Sequence, residues 1–139
     1  MIDYGKFEKS LKHLEAQLRN YGTAVERSEL KDIDREAIAE SVIQRFETCY
    51  DCFWKVLKRH LKETLGIPEL PNSPKPLFRI AFENQLFSTI EQWLSYADAR
   101  VDTSHDYSGE KARATIGSAS AFAEDAAEVY QRMTGKAWA

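Results

Sequence analysis

A polar segment in the second half of the chain holds the residues best suited to chemistry. It contains Arg100 and, five positions later, His105, close to the point where a helical pattern ends at Ser108-Gly109. An imidazole titrates near neutrality and can move a proton, whereas a guanidinium stays charged and can bind a phosphate through two hydrogen bonds. The pair therefore suits cleavage of a phosphodiester without a metal ion.

A structural role explains the same two residues. An arginine and a histidine near a helix C-terminus satisfy terminal carbonyls and the helix dipole, and the spacing of Arg100 and His105 alone favours this role. Tyr107 follows the histidine by two positions beside the Ser-Gly break. We expect its hydroxyl at the surface, with a packed loop aromatic as the alternative.

The elements that must position this segment are helices. Between Thr23 and Leu65 the chain has neither Gly nor Pro, and from Ile38 to Leu65 apolar residues recur at intervals of three and four. This period predicts one long amphipathic helix, ended by Gly66 and Pro68. Similar rows predict a helix over 7–21, a short helix over 77–82, a helix over 90–101 capped by Ser88, and a last helix over 116–133 that stops at Gly135.

No segment alternates with the period of a strand. The sequence therefore predicts an all-α, up-and-down helical bundle of four long helices plus one short helix. The length of 139 residues indicates a single domain spanning 1–139.

Composition narrows the class further. The chain is 43% apolar with a net charge of −3, which indicates a folded protein. It has no run of about 20 apolar residues for a membrane span and no export signal at its start, so we expect a cytoplasmic protein. Cys49 and Cys52 share a helix face, and we expect buried thiols; a zinc site lacks suitably spaced further ligands. We expect no metal and no cofactor.

A row of cations lies on the long helix. The residues at positions i, i+3, i+4 and i+7 are Lys55, Lys58, Arg59 and Lys62. They could contact RNA phosphates or a partner protein. A solvated helix face is the alternative, and the net negative charge of the chain favours it.

Two strings carry a resemblance to a known family. The string Arg100-x-x-x-x-His105-x-Tyr107 follows an earlier one, Ile43-Gln44-Arg45-Phe46-Glu47-x-x-Tyr50-Asp51-x-x-x-Lys55. Together they resemble the HEPN superfamily, and more closely its branch of nucleotidyltransferase substrate-binding proteins. The resemblance covers about residues 38–130 and implies an HEPN-like helical bundle.

The resemblance also implies an activity and a partner. It implies a homodimeric toxin with a metal-independent ribonuclease site, in which Arg100 holds the scissile phosphate and His105 acts as general acid or base. Asp102 and Ser104 are candidate supporting residues. The antitoxin would be a minimal nucleotidyltransferase that silences the toxin by attaching AMP to Tyr107.

One departure from the pattern keeps a second function open. Many members carry a polar residue directly after the arginine, whereas this chain has Val101 there. The alternative is a non-enzymatic accessory subunit that binds a nucleotide or polar ligand for the transferase, and a structural helical dimer is a third possibility. A homodimer is expected in each case, because Trp54, Trp93 and Tyr96 suggest more apolar surface than a small bundle hides.

Overall fold

The structure is a computed structural model that describes residues 1–101 and 109–139. No strand occurs within these two ranges, which confirms the predicted all-α bundle. The helices are α1 (Gly5–Ala24), α2 (Asp32–Arg59) with a π-helical continuation (His60–Thr64), α3 (Pro74–Glu83), α4 (Glu91–Val101) and α5 (Gly109–Thr134).

The long helix α2 begins and ends for identifiable reasons. At its start the backbone N–H of Lys31 donates to the carboxylate of Asp34 at 2.9 Å, and the acidic first turn complements the helix dipole. At its end the chain widens into a π-helix, in which the N–H of Leu65 donates to the carbonyl of His60 at 3.1 Å. Gly66 then takes a left-handed φ of 72°, so the predicted stop at Gly66 is confirmed.

An aromatic cluster joins α2, α4 and α5. The rings of Phe53 and Trp93 stack at 4.8 Å, and Trp93 stacks in turn on Phe87 at 4.1 Å. Phe122 of α5 meets both Phe53 and Trp93 edge-on, each at 5.8 Å. Because stacked and edge-on pairs are favourable and directional, this cluster fixes how α4 lies against α2.

Two details of the predicted fourth helix are wrong. Ser88 does not cap it, because its hydroxyl donates to Glu128 at 3.0 Å and accepts from Arg132 at 2.9 Å. Val101 was expected in the apolar row, but it is 86% exposed. The buried face of α4 is set by Trp93 and its neighbours, and Val101 lies at the edge of that face in the last residue of the helix.

The two cysteines differ in their surroundings. Cys49 is fully buried, as expected, and burial raises the pKa of its thiol to about 12, whereas Cys52 is only half-buried. Within the described ranges no three His, Cys, Asp or Glu side chains are arranged to hold a metal ion. None of the described helices is long and apolar enough to cross a membrane.

Candidate functional site at the end of helix α4

The last turn of α4 presents Arg100 to helix α2. Trp93 and Arg100 are seven residues apart, about two helical turns, so they lie on the same face of α4. Trp93 stacks on Phe53 of α2, and Arg100 reaches Glu47 and Asp51, which come earlier on that helix. The two helices therefore run antiparallel, and Arg100 forms the polar end of their contact.

Two carboxylates hold the Arg100 guanidinium. Its Nε and Nη2 donate to the two oxygens of Asp51, at 3.3 and 3.2 Å, in a fork-like pair. Its Nη1 donates to Oε2 of Glu47 at 3.1 Å. Glu47 and Asp51 are four residues apart on α2, so they lie one above the other on the same helix face. We call Arg100, Glu47 and Asp51 the arginine clamp.

The clamp is partly open to solvent. The side chain of Arg100 is 31% exposed and that of Glu47 28%, whereas that of Asp51 is 56% exposed. The hydrogen bond to Asp51 is the main reason that the pKa of Arg100 is raised, so the guanidinium stays charged. An incoming phosphate therefore competes with the carboxylates of Glu47 and Asp51 for Arg100.

A buried tyrosine hydroxyl lies beside the clamp. Tyr50 is only 4% exposed, and its hydroxyl has no hydrogen-bond partner among the described residues. Burial raises its pKa and the nearby positive charge of Arg100 opposes the rise, so the phenol stays neutral at physiological pH. An unpaired buried hydroxyl costs free energy, and a ligand oxygen at this position would remove that cost.

Three residues around Arg100 had no role assigned to them from the sequence. Glu47, Tyr50 and Asp51 stood in the earlier of the two strings, and the structure brings all three to Arg100. The signal that could have found Glu47 and Asp51 is their spacing of i, i+4, which places two carboxylates on one helix face where a cation of a neighbouring helix can bind both. The other predicted site residues, Asp102, Ser104, His105 and Tyr107, lie outside the described residues.

The predicted basic row on α2 is partly engaged by neighbours. Lys58 donates to the side chain of Asn72 and lies over the ring of Trp54, and Arg59 pairs with Glu63 at 2.8 Å. The two remaining members, Lys55 and Lys62, are exposed. Two of the four cations are thus held by local contacts, which agrees with the alternative of a solvated helix face. A role of this row in contacting RNA or a partner stays a prediction.

The reason given for a dimer needs correction. Trp93 and Tyr96 are 2% and 1% exposed, because both pack into the core of a single chain, and Trp54 is half-buried. Among the described residues, the large exposed apolar side chains are instead Val25, Ile33, Leu65, Phe82 and Val101, besides Met1. The homodimer itself stays a prediction.

Comparison with known proteins shows relatives over most of the chain. A family profile described as nucleotidyltransferase substrate binding protein like matches residues 2–135. A Haemophilus influenzae protein named probable ribonuclease HepT is 31% identical over 84 residues. That match covers 59% of this chain and 58% of the relative, so the chain spans less than two thirds of the relative's length.

Two solved structures have a similar fold. One, also from Haemophilus influenzae, is described as the fold of a substrate binding domain of a nucleotidyltransferase. It has a TM-score of 0.79 and 22% identity, and the match covers 94% of this chain and 98% of the other. A protein from Thermus thermophilus has a TM-score of 0.64 and 29% identity, with 87% and 98% covered.

Proposed function

The chain belongs to the nucleotidyltransferase substrate binding protein like family, and on that basis we propose that it is the toxin of a toxin–antitoxin pair, a metal-independent ribonuclease. The observation that carries the proposal is the position of Arg100. It lies in the last turn of α4, in a partly solvated clamp beside a tyrosine hydroxyl that has no hydrogen-bond partner among the described residues, and it precedes His105 by five residues in sequence. The name of the Haemophilus influenzae relative, probable ribonuclease, supports the same function.

In this proposal Arg100 binds the scissile phosphate. The guanidinium carries five N–H donors, and the phosphate would replace a carboxylate oxygen of the clamp as acceptor for some of them. As the phosphorus becomes pentacoordinate, negative charge grows on its non-bridging oxygens, and a fixed cation there lowers the barrier. The exposed Asp51 is the partner that yields to the phosphate most readily, because its side chain is the most solvated of the three.

His105 moves the protons. The 2′-hydroxyl oxygen of the RNA attacks phosphorus, a bond forms between them, and the bond to the 5′ oxygen breaks. The proton of the 2′-hydroxyl passes to one imidazole, and the leaving 5′ oxygen takes a proton from the second His105 of a homodimer. Asp102 and Ser104 would orient the imidazole or the phosphate.

A partner nucleotidyltransferase would silence the site by transferring AMP from ATP to the hydroxyl of Tyr107. The phenolic oxygen loses its proton and bonds to the α-phosphorus of ATP, and pyrophosphate leaves. The new ester adds a negative phosphate and the bulk of a nucleoside two residues from His105. Like-charge repulsion then keeps an RNA phosphate away from Arg100. The relation to a nucleotidyltransferase is supported by the description of the family.

The direct test combines mass spectrometry with RNA cleavage. Purified protein is incubated with ATP and its nucleotidyltransferase, and the intact mass is measured for the unaltered chain and for Tyr107→Phe. We expect added AMP on the unaltered chain only. In parallel, a labelled single-stranded RNA is incubated with the unmodified protein in the presence of EDTA, and we expect cleavage.

Matched variants separate chemistry from folding. His105→Ala should abolish cleavage, and Arg100→Lys, which keeps a charge but loses the fork, should reduce it at least tenfold. The control is Arg79→Lys, at an exposed arginine of α3, which should cleave like the unaltered chain. Circular dichroism checks that each variant is folded. Undiminished cleavage by His105→Ala would refute the proposed mechanism.

One observation favours a second candidate, an accessory subunit that binds a nucleotide without cleaving RNA. Arg100 is held by two carboxylates, and the residue after it is the exposed apolar Val101. In this case Arg100 and the Tyr50 hydroxyl would bind a nucleotide, and Arg100→Lys would weaken ATP binding in calorimetry while no RNA is cleaved by any form.

A further inference from the structure

A groove lies between α1 and α2, on a different face of α2 from the arginine clamp, and cationic side chains stand along it. Each helix contributes a row at positions i, i+3 and i+7, which places its members on one helix face. The row on α1 is Lys6, Lys9 and His13, and the row on α2 is Arg45, Thr48 and Cys52. Because the helices form an antiparallel hairpin, Arg45 lies opposite His13.

The charged side chains that line the groove are all positive. Its lining, completed by Ser10, includes three cationic side chains and no carboxylate. Within the described parts of the chain, none of Lys6, Lys9 and Arg45 forms an ion pair with Asp or Glu. The whole chain carries 22 acidic and 19 basic side chains. The positive charge of the groove lining is therefore opposite in sign to the net charge of the chain. Such a local field attracts anions.

The contact between Arg45 and His13 also shows that carboxylate acceptors are missing from the groove lining. Nη1 of Arg45 lies 3.0 Å from Nδ1 of His13. A guanidinium has donors only, so the imidazole nitrogen is the acceptor of this hydrogen bond. The lining of the groove offers no carboxylate to the remaining N–H groups of Arg45.

The groove also has the shape for an extended anion. Seven residues of helix span about 10 Å, so each row follows the groove for that length. Lys6, Lys9, His13 and Arg45 are exposed along its rim, and Ser10 and the half-buried Cys52 form its floor. Flexible lysines beside a groove of this length suit a chain of phosphates better than a single carboxylate.

We propose that the groove between α1 and α2 is a phosphate-binding site, separate from Arg100, for a ligand with several phosphate groups. The ligand supplies them either as the backbone of a nucleic acid or as the polyphosphate tail of a nucleotide. The proposal does not depend on RNA cleavage, because the groove and the arginine clamp use different residues on different faces of α2.

Binding is tested by fluorescence anisotropy with two probes. One is a labelled 2′-O-methyl oligoribonucleotide, which ribonuclease chemistry of the 2′-hydroxyl cannot cleave; the other is a labelled ATP analogue, with tripolyphosphate as competitor. The groove variant is Lys6→Gln/Lys9→Gln, and the matched control is Arg19→Gln/Arg79→Gln, which removes the same charge from exposed positions outside the groove.

We expect the groove variant to bind about tenfold more weakly than the control, and the slope of log K against log salt to fall by about 1.4 for two lost phosphate contacts on a single strand. Preferential binding of the oligonucleotide identifies a nucleic-acid backbone as the source, and preferential binding of the ATP analogue identifies a nucleotide. Equal affinities and slopes for the groove and control variants would overturn the proposal.

Cys52 reports where the ligand sits. A ligand in the groove covers this half-buried thiol, so saturating oligonucleotide or ATP should slow its alkylation by iodoacetamide several-fold. A ligand at the arginine clamp leaves Cys52 uncovered. The alkylation rate is measured for the Arg100→Lys protein as well as for the unaltered chain. Protection of Cys52 in both proteins would therefore not depend on the proposed ribonuclease function. Unchanged alkylation in the presence of bound probe would also overturn the proposal.

Discussion

The arginine clamp should contribute measurably to stability through its pair with Glu47. Nη1 of Arg100 and Oε2 of Glu47 are 3.1 Å apart, and less than a third of each side chain is exposed. Two unit charges about 4 Å apart attract by about 1 kcal/mol in bulk water and about 4 kcal/mol at a protein surface of intermediate polarity. After the entropy of ordering both side chains is subtracted, we expect a coupling of about 1 kcal/mol.

A double-mutant cycle measures this coupling. The cycle uses Arg100→Met, which keeps the apolar stem, Glu47→Gln, and the two together, with free energies of unfolding from urea denaturation. The matched control cycle is Lys75→Met and Asp98→Asn, an ion pair that also joins α4 to a neighbouring helix. That pair is 2.6 Å long, but its side chains are 45% and 67% exposed.

The control coupling should be about 0.2 to 0.5 kcal/mol, because both charges are well solvated. In 1 M NaCl the Debye length is about 3 Å, so the control coupling should vanish while part of the clamp coupling remains. If the coupling between Arg100 and Glu47 is no larger than that between Lys75 and Asp98, then burial and the shared guanidinium do not strengthen the clamp.

Three further predictions concern the core. Phe122→Ala should lower the free energy of unfolding by about 3–5 kcal/mol in urea denaturation, because it leaves a cavity where several aromatic rings meet. Burial lowers the pKa of His60 below its ordinary 6.5, so the unfolded chain takes up the proton first and stability falls as the pH drops below about 6.5. His60→Gln should reduce that loss between pH 7.5 and 5.5, measured as the urea midpoint; an identical loss in both proteins would contradict it. Iodoacetamide should modify Cys52 in the native protein long before Cys49, whose thiol is buried with a pKa of about 12, as peptide mass spectrometry would show.

The sequence predicted the helices well, because each carries a clear period and punctuation. The rows of apolar residues located all five α-helices that the structure describes, and Gly66 and Gly135 follow two of these helical segments with left-handed φ angles of 72° and 73°. Helix starts were predicted less accurately: α5 begins at Gly109, seven residues before the start of the predicted helix over 116–133. Ser88 has the residue type of a cap, but a tertiary contact with Glu128 takes its hydroxyl, and local sequence does not show such contacts.

The site was only partly predictable for a related reason. Arg100 was chosen from its residue type and from a family string, and its partners are 49 and 53 residues earlier in the chain. Spacing within one helix shows which residues share a face, but it does not show which faces of two helices meet. The π-helix at His60 was missed because one extra backbone residue in a turn leaves little trace in the apolar period.

The stack of Phe53, Trp93 and Phe87 gives the protein an optical probe of its own. Trp93 is 2% exposed, whereas Trp54 and Trp138 are half-buried, so its emission should lie at shorter wavelength than theirs. Trp93 stands two turns before Arg100 on α4, and its ring stacks on Phe53 of α2, so we expect a shift of α4 on α2 to change the surroundings of the indole. Events at Arg100 can therefore be followed by the intrinsic fluorescence and near-ultraviolet dichroism of the unlabelled chain.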